Sequence, residues 1–377
     1  MSLINRIKDF NERVREKIGW KIIDSYLLWK MLGTVVFAIT LLMTVVVVFD
    51  MSENIQRFMS HNVPWKEVIT GYYFNFIPYF INLFIPLFTF ISVIWFTSKL
   101  STRNEIISIF DNGISFNRML VPYVTGAVII MILSLILANF IVPTTNRKMN
   151  EFKYQYFGRR SGTSSYLHIK NSKNSYIFVE RWDKMEGTGY NFTYEEFDNN
   201  HISKKISAQS ITFDEDTQLW RLHRYTRREI TAENEEIISR GEDLDTMLNI
   251  KPLNLYQDAM VSETMSYREL RSFIREERMR GSSLLANYQI EQHKRLANPV
   301  GILIMTLLGL SVSCRKTTRG VGVHIFIGIG LVFTFIFLQQ ISTVFSVSGG
   351  LPPVLGTWLP NIIFTVITGV LLKMTPK

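Results

Sequence analysis

Five stretches of this chain run for about twenty residues or more without an Asp, Glu, Lys or Arg: Met31 to Phe49, Val68 to Ser98, Met119 to Asn146, Leu296 to Cys314, and Gly320 to Leu372. About twenty apolar residues at ~1.5 Å each cross the ~30 Å hydrocarbon core of a bilayer. The last stretch is too long for one helix and is broken by Gly349-Gly350-Leu351-Pro352-Pro353, which makes two spans of it. Six crossings result. Pro78 and Pro86 lie inside the second, which predicts a kink or tilt there, because membrane helices tolerate proline where neighbours re-satisfy the freed carbonyls. The aromatic residues crowding its first half, from Tyr72 to Phe80, are expected to face lipid or the bundle core.

The distribution of charge orients these spans. The net charge is +9, but the segment from Pro143 to Arg295 holds 24 basic and 23 acidic residues, so nearly all the excess sits on the spans and their short flanks. That is the footprint of the positive-inside rule, and it leaves little for a nucleic-acid groove. Residues Leu3, Ile7, Phe10, Val14 and Ile18 recur at helical spacing among Arg6, Lys8, Arg13, Arg15 and Lys17, which predicts an amphipathic basic helix within 1–30 on the cytoplasmic face. The charges continue too long, and no small-residue cleavage site follows, for a secretory signal. The basic turn Arg315-Lys316-Thr317-Thr318-Arg319-Gly320 falls on the same side. Both termini are then cytoplasmic. The lone Cys314 can form no internal disulfide.

Between spans three and four the texture changes. Alternating stretches at Tyr166 to Lys170, Tyr176 to Val179, Tyr190 to Glu195, Lys204 to Phe213 and Leu219 to Arg228 are separated by turn chemistry, including Glu186-Gly187-Thr188-Gly189 and Asp198-Asn199-Asn200. The spacing predicts an antiparallel sandwich, jelly roll or open roll. Three crossings place it on the far side of the membrane. Ser266-x-x-Glu269 then opens a charged helix to Gly281. His168, His201 and His223 are scattered and read as surface groups, and Asp214-Glu215-Asp216 reads as a hairpin turn.

The short charged segment from Ser98 to Arg118 lies between two spans. Thr102-x-x-Glu105 has a capping-box pattern, Ile106, Ile109 and Phe110 have helical spacing, and Gly113 stands where a left-handed cap belongs. Ten residues give roughly 15 Å, half a hydrocarbon core, so this helix cannot span. It is either an interfacial connector that snorkels Lys99, Arg103 and Arg118 into headgroups or a docking peg for a cytosolic partner. No Walker phosphate loop, His-Glu-x-x-His or Gly-x-Ser-x-Gly occurs, and no span carries an acid or base at mid-depth. His324 lies near a cytoplasmic end. Work done by this chain therefore needs an external energy source.

Layout and residues together resemble the LptF/LptG (YjgP/YjgQ) family, permease subunits of the bacterial lipopolysaccharide export ABC transporter. The resemblance rests on Ile23-Asp24-Ser25-Tyr26-Leu27; on Glu105-Ile106-Ile107 with Gly113 eight residues on; on Arg295, Pro299, Arg315, Arg319 and Gly320; and on Pro352, Pro353, Trp358, Pro360 and Asn361. The chain departs from the family at Asp111-Asn112, where small residues are common, and at Val45 to Val48, where some members carry lysines. What the resemblance implies is an α-helical membrane protein with six transmembrane helices, three plus three, and an inserted periplasmic all-β jelly-roll-like domain. Its divisions are spans one to three at 31–142 with a coupling helix at 101–113, the β domain at 143–265, a helical connector at 266–295, and spans four to six at 296–377.

The same resemblance implies an inner-membrane permease, not itself an enzyme and without cofactor, that extracts lipopolysaccharide. Its implied partners are a cytosolic ABC ATPase dimer, a second LptF/LptG-type permease subunit and a periplasmic bridge component of LptC type. Arg103, Glu105, Ile106, Ile109, Phe110 and Gly113 become the ATPase-coupling residues. Arg57, Lys66, Arg147 and Lys148, at outer ends of spans, are candidate lipid-phosphate contacts or headgroup snorkels. The competing reading is an envelope scaffold or sensor without transport. A self-contained secondary transporter is disfavoured by the charge-free spans.

Overall fold

The computed structural model describes residues 20–157, 163–183, 186–198, 201–214, 217–230, 236–250, 252–255, 259–282, 284–314 and 321–374. The amphipathic segment over residues 1–19 and the basic turn at 315–320 lie outside the described residues. Six helices are long and apolar enough to cross a membrane: α1 (Ile22–Ser60), α2 (Trp65–Thr102), α4 (Phe116–Phe157), α6 (Leu285–Ser313), α7 (Gly322–Val347) and α8 (Pro353–Met374). Between them lie α3 (Glu105–Asp111) and α5 (Tyr267–Arg280). The chain divides into two compact units, one of Met1–Gln56, Tyr73–Thr145 and His293–Lys377, the other of Arg57–Tyr72 and Asn146–Gln292.

The first unit is the span bundle. Its polar groups are turned inward or back onto their own helix, as a medium without water requires. Thr40 donates to the Val36 carbonyl at 2.8 Å and Thr306 to the Ile302 carbonyl at 2.8 Å. Asn361 of α8 donates to the Ala297 carbonyl of α6 at 2.8 Å across the helix contact. Gln339 of α7 donates to Asn298 of α6 at 3.1 Å. Pro78 and Pro86 are accommodated within α2, which opens with a π-helical turn at Val68–Tyr73. A second π turn, Leu137–Ile141, lies within α4.

Close approach fixes the α7–α8 hairpin. A Cβ on Gly356 would fall 1.7 Å from Ser346 Oγ and 2.8 Å from the Ser342 carbonyl, so the two backbones touch only because residue 356 has no side chain. Dispersion and close contact drive helix association in lipid. We therefore expect Gly356→Leu to force α7 and α8 apart and to lower the unfolding temperature of the detergent-solubilised protein by several degrees, by a cost of about 1–3 kcal/mol.

The second unit contains a six-stranded antiparallel sheet of β1 (Thr163–Lys170), β2 (Ser175–Asp183), β3 (Thr188–Asp198), β4 (His201–Asp214), β5 (Leu219–Ile230) and β6 (Glu236–Thr246), in consecutive order. The all-β insertion between spans three and four is thus present, each strand paired to the one before it. Register explains the core. Leu167 stands opposite Val179, Val179 opposite Phe192, and Phe192 opposite Ala208, so one apolar row crosses four strands. Trp182 and Trp220 pack edge to face at 5.8 Å, and the Trp220 indole donates to the Ile250 carbonyl at 3.0 Å. The other face carries cross-strand ion pairs, Lys205 with Glu195 and Arg221 with Asp245.

The apolar alternation marks five of these strands. It misses β6, which is exposed along almost its whole length and lies at the sheet edge, so no face of it needs to be apolar. Trp220 is fully buried. Trp220→Ala is expected to destabilise the sheet by about 3–5 kcal/mol in a denaturant titration followed by tryptophan fluorescence.

Candidate functional site

The charged segment between α2 and α4 folds differently from its capping pattern. Helix α2 does not stop at Ser98 but runs on to Thr102, because Leu100 and Ser101 are buried in the bundle. Thr102 therefore sits inside a helix, and its hydroxyl donates to the Ser98 carbonyl at 2.9 Å. The chain reverses at Asn104, in the left-handed region at φ 60°, a conformation asparagine tolerates better than most residues. So the expected Thr102–Glu105 capping box is absent, and α3 is a helix of 7 residues beginning at Glu105.

The other end of α3 matches its pattern. Gly113 has φ +75°, its amide donates to the Phe110 carbonyl at 2.9 Å, and the Ile114 amide donates to the Ile109 carbonyl at 3.3 Å. This is a Schellman closure. Ile106 and Ile109 are buried, Ile106 within the cluster that contains Leu27, Leu100, Phe116, Met119 and Cys314, with Phe110 packed against it. They anchor α3 to the bundle and offer no surface. The exposed side consists of Arg103, Ile107, Ser108 and Asp111, with Glu105 half-buried beside them.

Glu105 owes its position to α1. Tyr26 Oη donates to Glu105 Oε2 at 3.0 Å. Two residues earlier, Asp24 is 1% exposed, accepts the Lys21 backbone amide at 2.7 Å, and forms an ion pair with Arg118 in the first turn of α4. The start of α1, the end of α2, α3 and the start of α4 thus meet at one end of the bundle. Ser98 near the end of α2 and His324 near the start of α7 also bond, at 2.9 Å. These contacts agree with an even number of crossings between the start of α1 and α3. Sequence reasoning named Glu105 but not Tyr26, Asp24 or Arg118 as its supports. The only signal was the Asp24-Ser25-Tyr26 string, which carries no indication of a partner some eighty or ninety residues away.

The four candidate cations do not converge in this way. Arg57, Lys66, Arg147 and Lys148 are all exposed, in the second unit. Arg147 is engaged, at 3.2 Å from Glu269 Oε2 and 3.4 Å from the Thr264 carbonyl. Glu269 closes the capping box of α5, accepting the Ser266 amide at 2.9 Å, and Gly281 ends that helix at φ +69°. Elsewhere, His223 Nδ1 lies 2.7 Å from Asp243, and the His168 ring packs on Phe178 at 4.7 Å. Among the described residues no group of three His, Cys, Asp or Glu comes together as a metal site would.

Six apolar helices, three before and three after an inserted antiparallel sheet in the chain order, define a multi-pass membrane protein. The model of the lipopolysaccharide export system permease LptF/LptG family matches residues 25–374, and the chain belongs to that family. It is similar to the lipopolysaccharide export system permease protein LptG of Escherichia coli K12, 21% identical over 295 residues covering 78% of this chain and 81% of that one. The LptG protein of Haemophilus influenzae is 24% identical over 361 residues, 91% of this chain and 96% of its own. Membership makes it a multi-pass inner-membrane protein.

The Ser266 amide, with Arg147 beside it, holds the Glu269 carboxyl below the ordinary glutamate range. A depressed folded-state pKa means that this cap stabilises fully above the unfolded value of about 4.3 and is lost only as pH falls through the lower folded value. Arg147→Met should move the Glu269 titration upward but leave it below the ordinary value, because the amide persists. Carboxyl-carbon NMR of glutamate-labelled protein reads this directly.

Proposed function

We propose that this chain is the transmembrane subunit of an ATP-driven exporter that extracts lipopolysaccharide from the inner membrane and passes it to a periplasmic bridge. The observation that carries the reading is α3, a 7-residue helix buried on one side through Ile106 and Ile109 with Glu105 held at its outer side by Tyr26. Such a helix is a rigid peg for a cytosolic ATPase dimer, with Glu105 and Arg103 meeting charges on the ATPase. The chain itself has no phosphate loop, so hydrolysis belongs to that separate partner.

A second LptF/LptG-type subunit faces this one. Helices α1 and α7 are the least covered of the six and expose Phe37, Leu41, Val45, Phe326, Phe333 and Phe337. Between two such apolar faces the acyl chains of the lipid enter laterally, and closure of the ATPase dimer drives them outward. The sheet lies on the periplasmic side and hands the lipid to an LptC-type component. Arg57, Lys66, Arg147 and Lys148 supply cations for its phosphates.

Glu105→Lys should abolish copurification of the ATPase, and Glu105→Ala should reduce it about tenfold, equivalent to ~1.4 kcal/mol, with the fold intact by circular dichroism. Unchanged copurification and unchanged lipid release from proteoliposomes would sink this assignment.

A further inference from the structure

The contacts at the start of α1 do more than position one carboxylate. Two side-chain bonds tie the first turn of α1 to the loop region between α2 and α4: Tyr26 to Glu105 and Asp24 to Arg118. They flank α3, one at its first residue and one just past its Schellman closure. The ion pair is the stronger, since the Asp24 carboxylate is buried and also accepts the Lys21 amide. Tyr26 is half-exposed, and its hydroxyl occupies Oε2 of Glu105, leaving Oε1 for another partner.

The rest of α1 is held loosely. Its buried positions Asp24, Leu27, Met31 and Val35 form a stripe over the first four turns, where Met31 and Leu28 also reach Gly126 of α4. Beyond Val35 only Met43, Asn54 and Phe58 are buried, while Val36, Phe37, Leu41, Val45, Val48 and Phe49 are exposed. A helix clamped at one end and sparsely packed along its length moves as a lever when the clamped end moves.

We infer that Asp24, Tyr26 and Arg118 are positioning residues that latch α1 to α3, so that displacement of the docked helix is delivered to α1 in preference to the other spans. This rests on the reading of α3 as the ATPase seat and adds the route by which the stroke leaves it. The latch needs no new ligand. Tyr26 shares Glu105 with the partner, so docking strengthens a contact already made.

The test uses the full complex in nanodiscs, with Cys314→Ser to remove the native thiol and a spin-label pair at Leu41→Cys in α1 and Leu83→Cys in α2. In the parent, ATP should shift the label distance. In Asp24→Asn, which breaks the ion pair and keeps the Tyr26 bond that holds the docking carboxylate, the ATPase should still copurify and hydrolyse ATP, while the shift falls by at least half and lipid release per ATP falls at least fivefold. Asp24→Arg with Arg118→Asp should recover a measurable part of both. An unaltered ATP-dependent shift with release within twofold of the parent in Asp24→Asn would overturn the latch alone. Absence of ATPase from the parent complex would overturn the docking reading and the latch with it.

Discussion

Inside hydrocarbon no water pairs with a polar group, and that one constraint arranges everything else in this protein. The spans are free of mid-depth charge, hydroxyls such as those of Thr40 and Thr306 bond their own i−4 carbonyls, and an amide such as Asn361 appears where it can reach a carbonyl of the neighbouring helix, that of Ala297. Charge is thereby driven to the ends of helices. Asp24 with Arg118, at one end of the bundle, and Asp50, which accepts Tyr73 at 3.2 Å, at the other, are the outcome. The places where the chain can interact specifically are set by exclusion before any particular partner is considered.

The spans, their number and the inserted sheet were legible because each rests on a signal repeated over many residues. A charge-free run of twenty residues and a two-residue alternation bounded by turns survive local exceptions. The capping box at Ser266 and Glu269 was legible too, since both partners lie within one turn and nothing tertiary competes. The same pattern at Thr102 and Glu105 failed because burial of Leu100 and Ser101 extends α2 through it. Tertiary packing outweighed a local motif worth about 1 kcal/mol. β6 was illegible for the opposite reason, its residues being exposed on both faces and so free of any hydrophobic period.

The candidate site was half-legible. Glu105, Ile106, Ile109 and Gly113 could be placed on one short helix from spacing alone, but the spacing says nothing about which face turns inward. Burial shows that Ile106 and Ile109 are anchors, and that the outward apolar residue is Ile107, which the pattern did not select. Tyr26, Asp24 and Arg118 are separated from their partners by most of two spans, and only the closed bundle brings them together.

A helix of 7 residues is too short to hold itself in water, because nucleation fixes several dihedrals before the first hydrogen bonds compensate. α3 persists because its surroundings supply what its length does not. Ile106 and Ile109 are buried on one side, Gly113 closes the carbonyl end, and Tyr26 steadies Glu105 where no N-cap side chain bonds the first turn. It follows that α3 is helical only as part of the bundle. A load applied to it cannot be absorbed by bending or unwinding in isolation without losing those contacts, so the load passes into the helices that provide them. Of these, α2 and α4 are each about a third buried, whereas α1, 11% buried, is the most exposed span. This 7-residue helix is in this way coupled, beyond the two spans it is joined to along the chain, to the span with the least to hold it back.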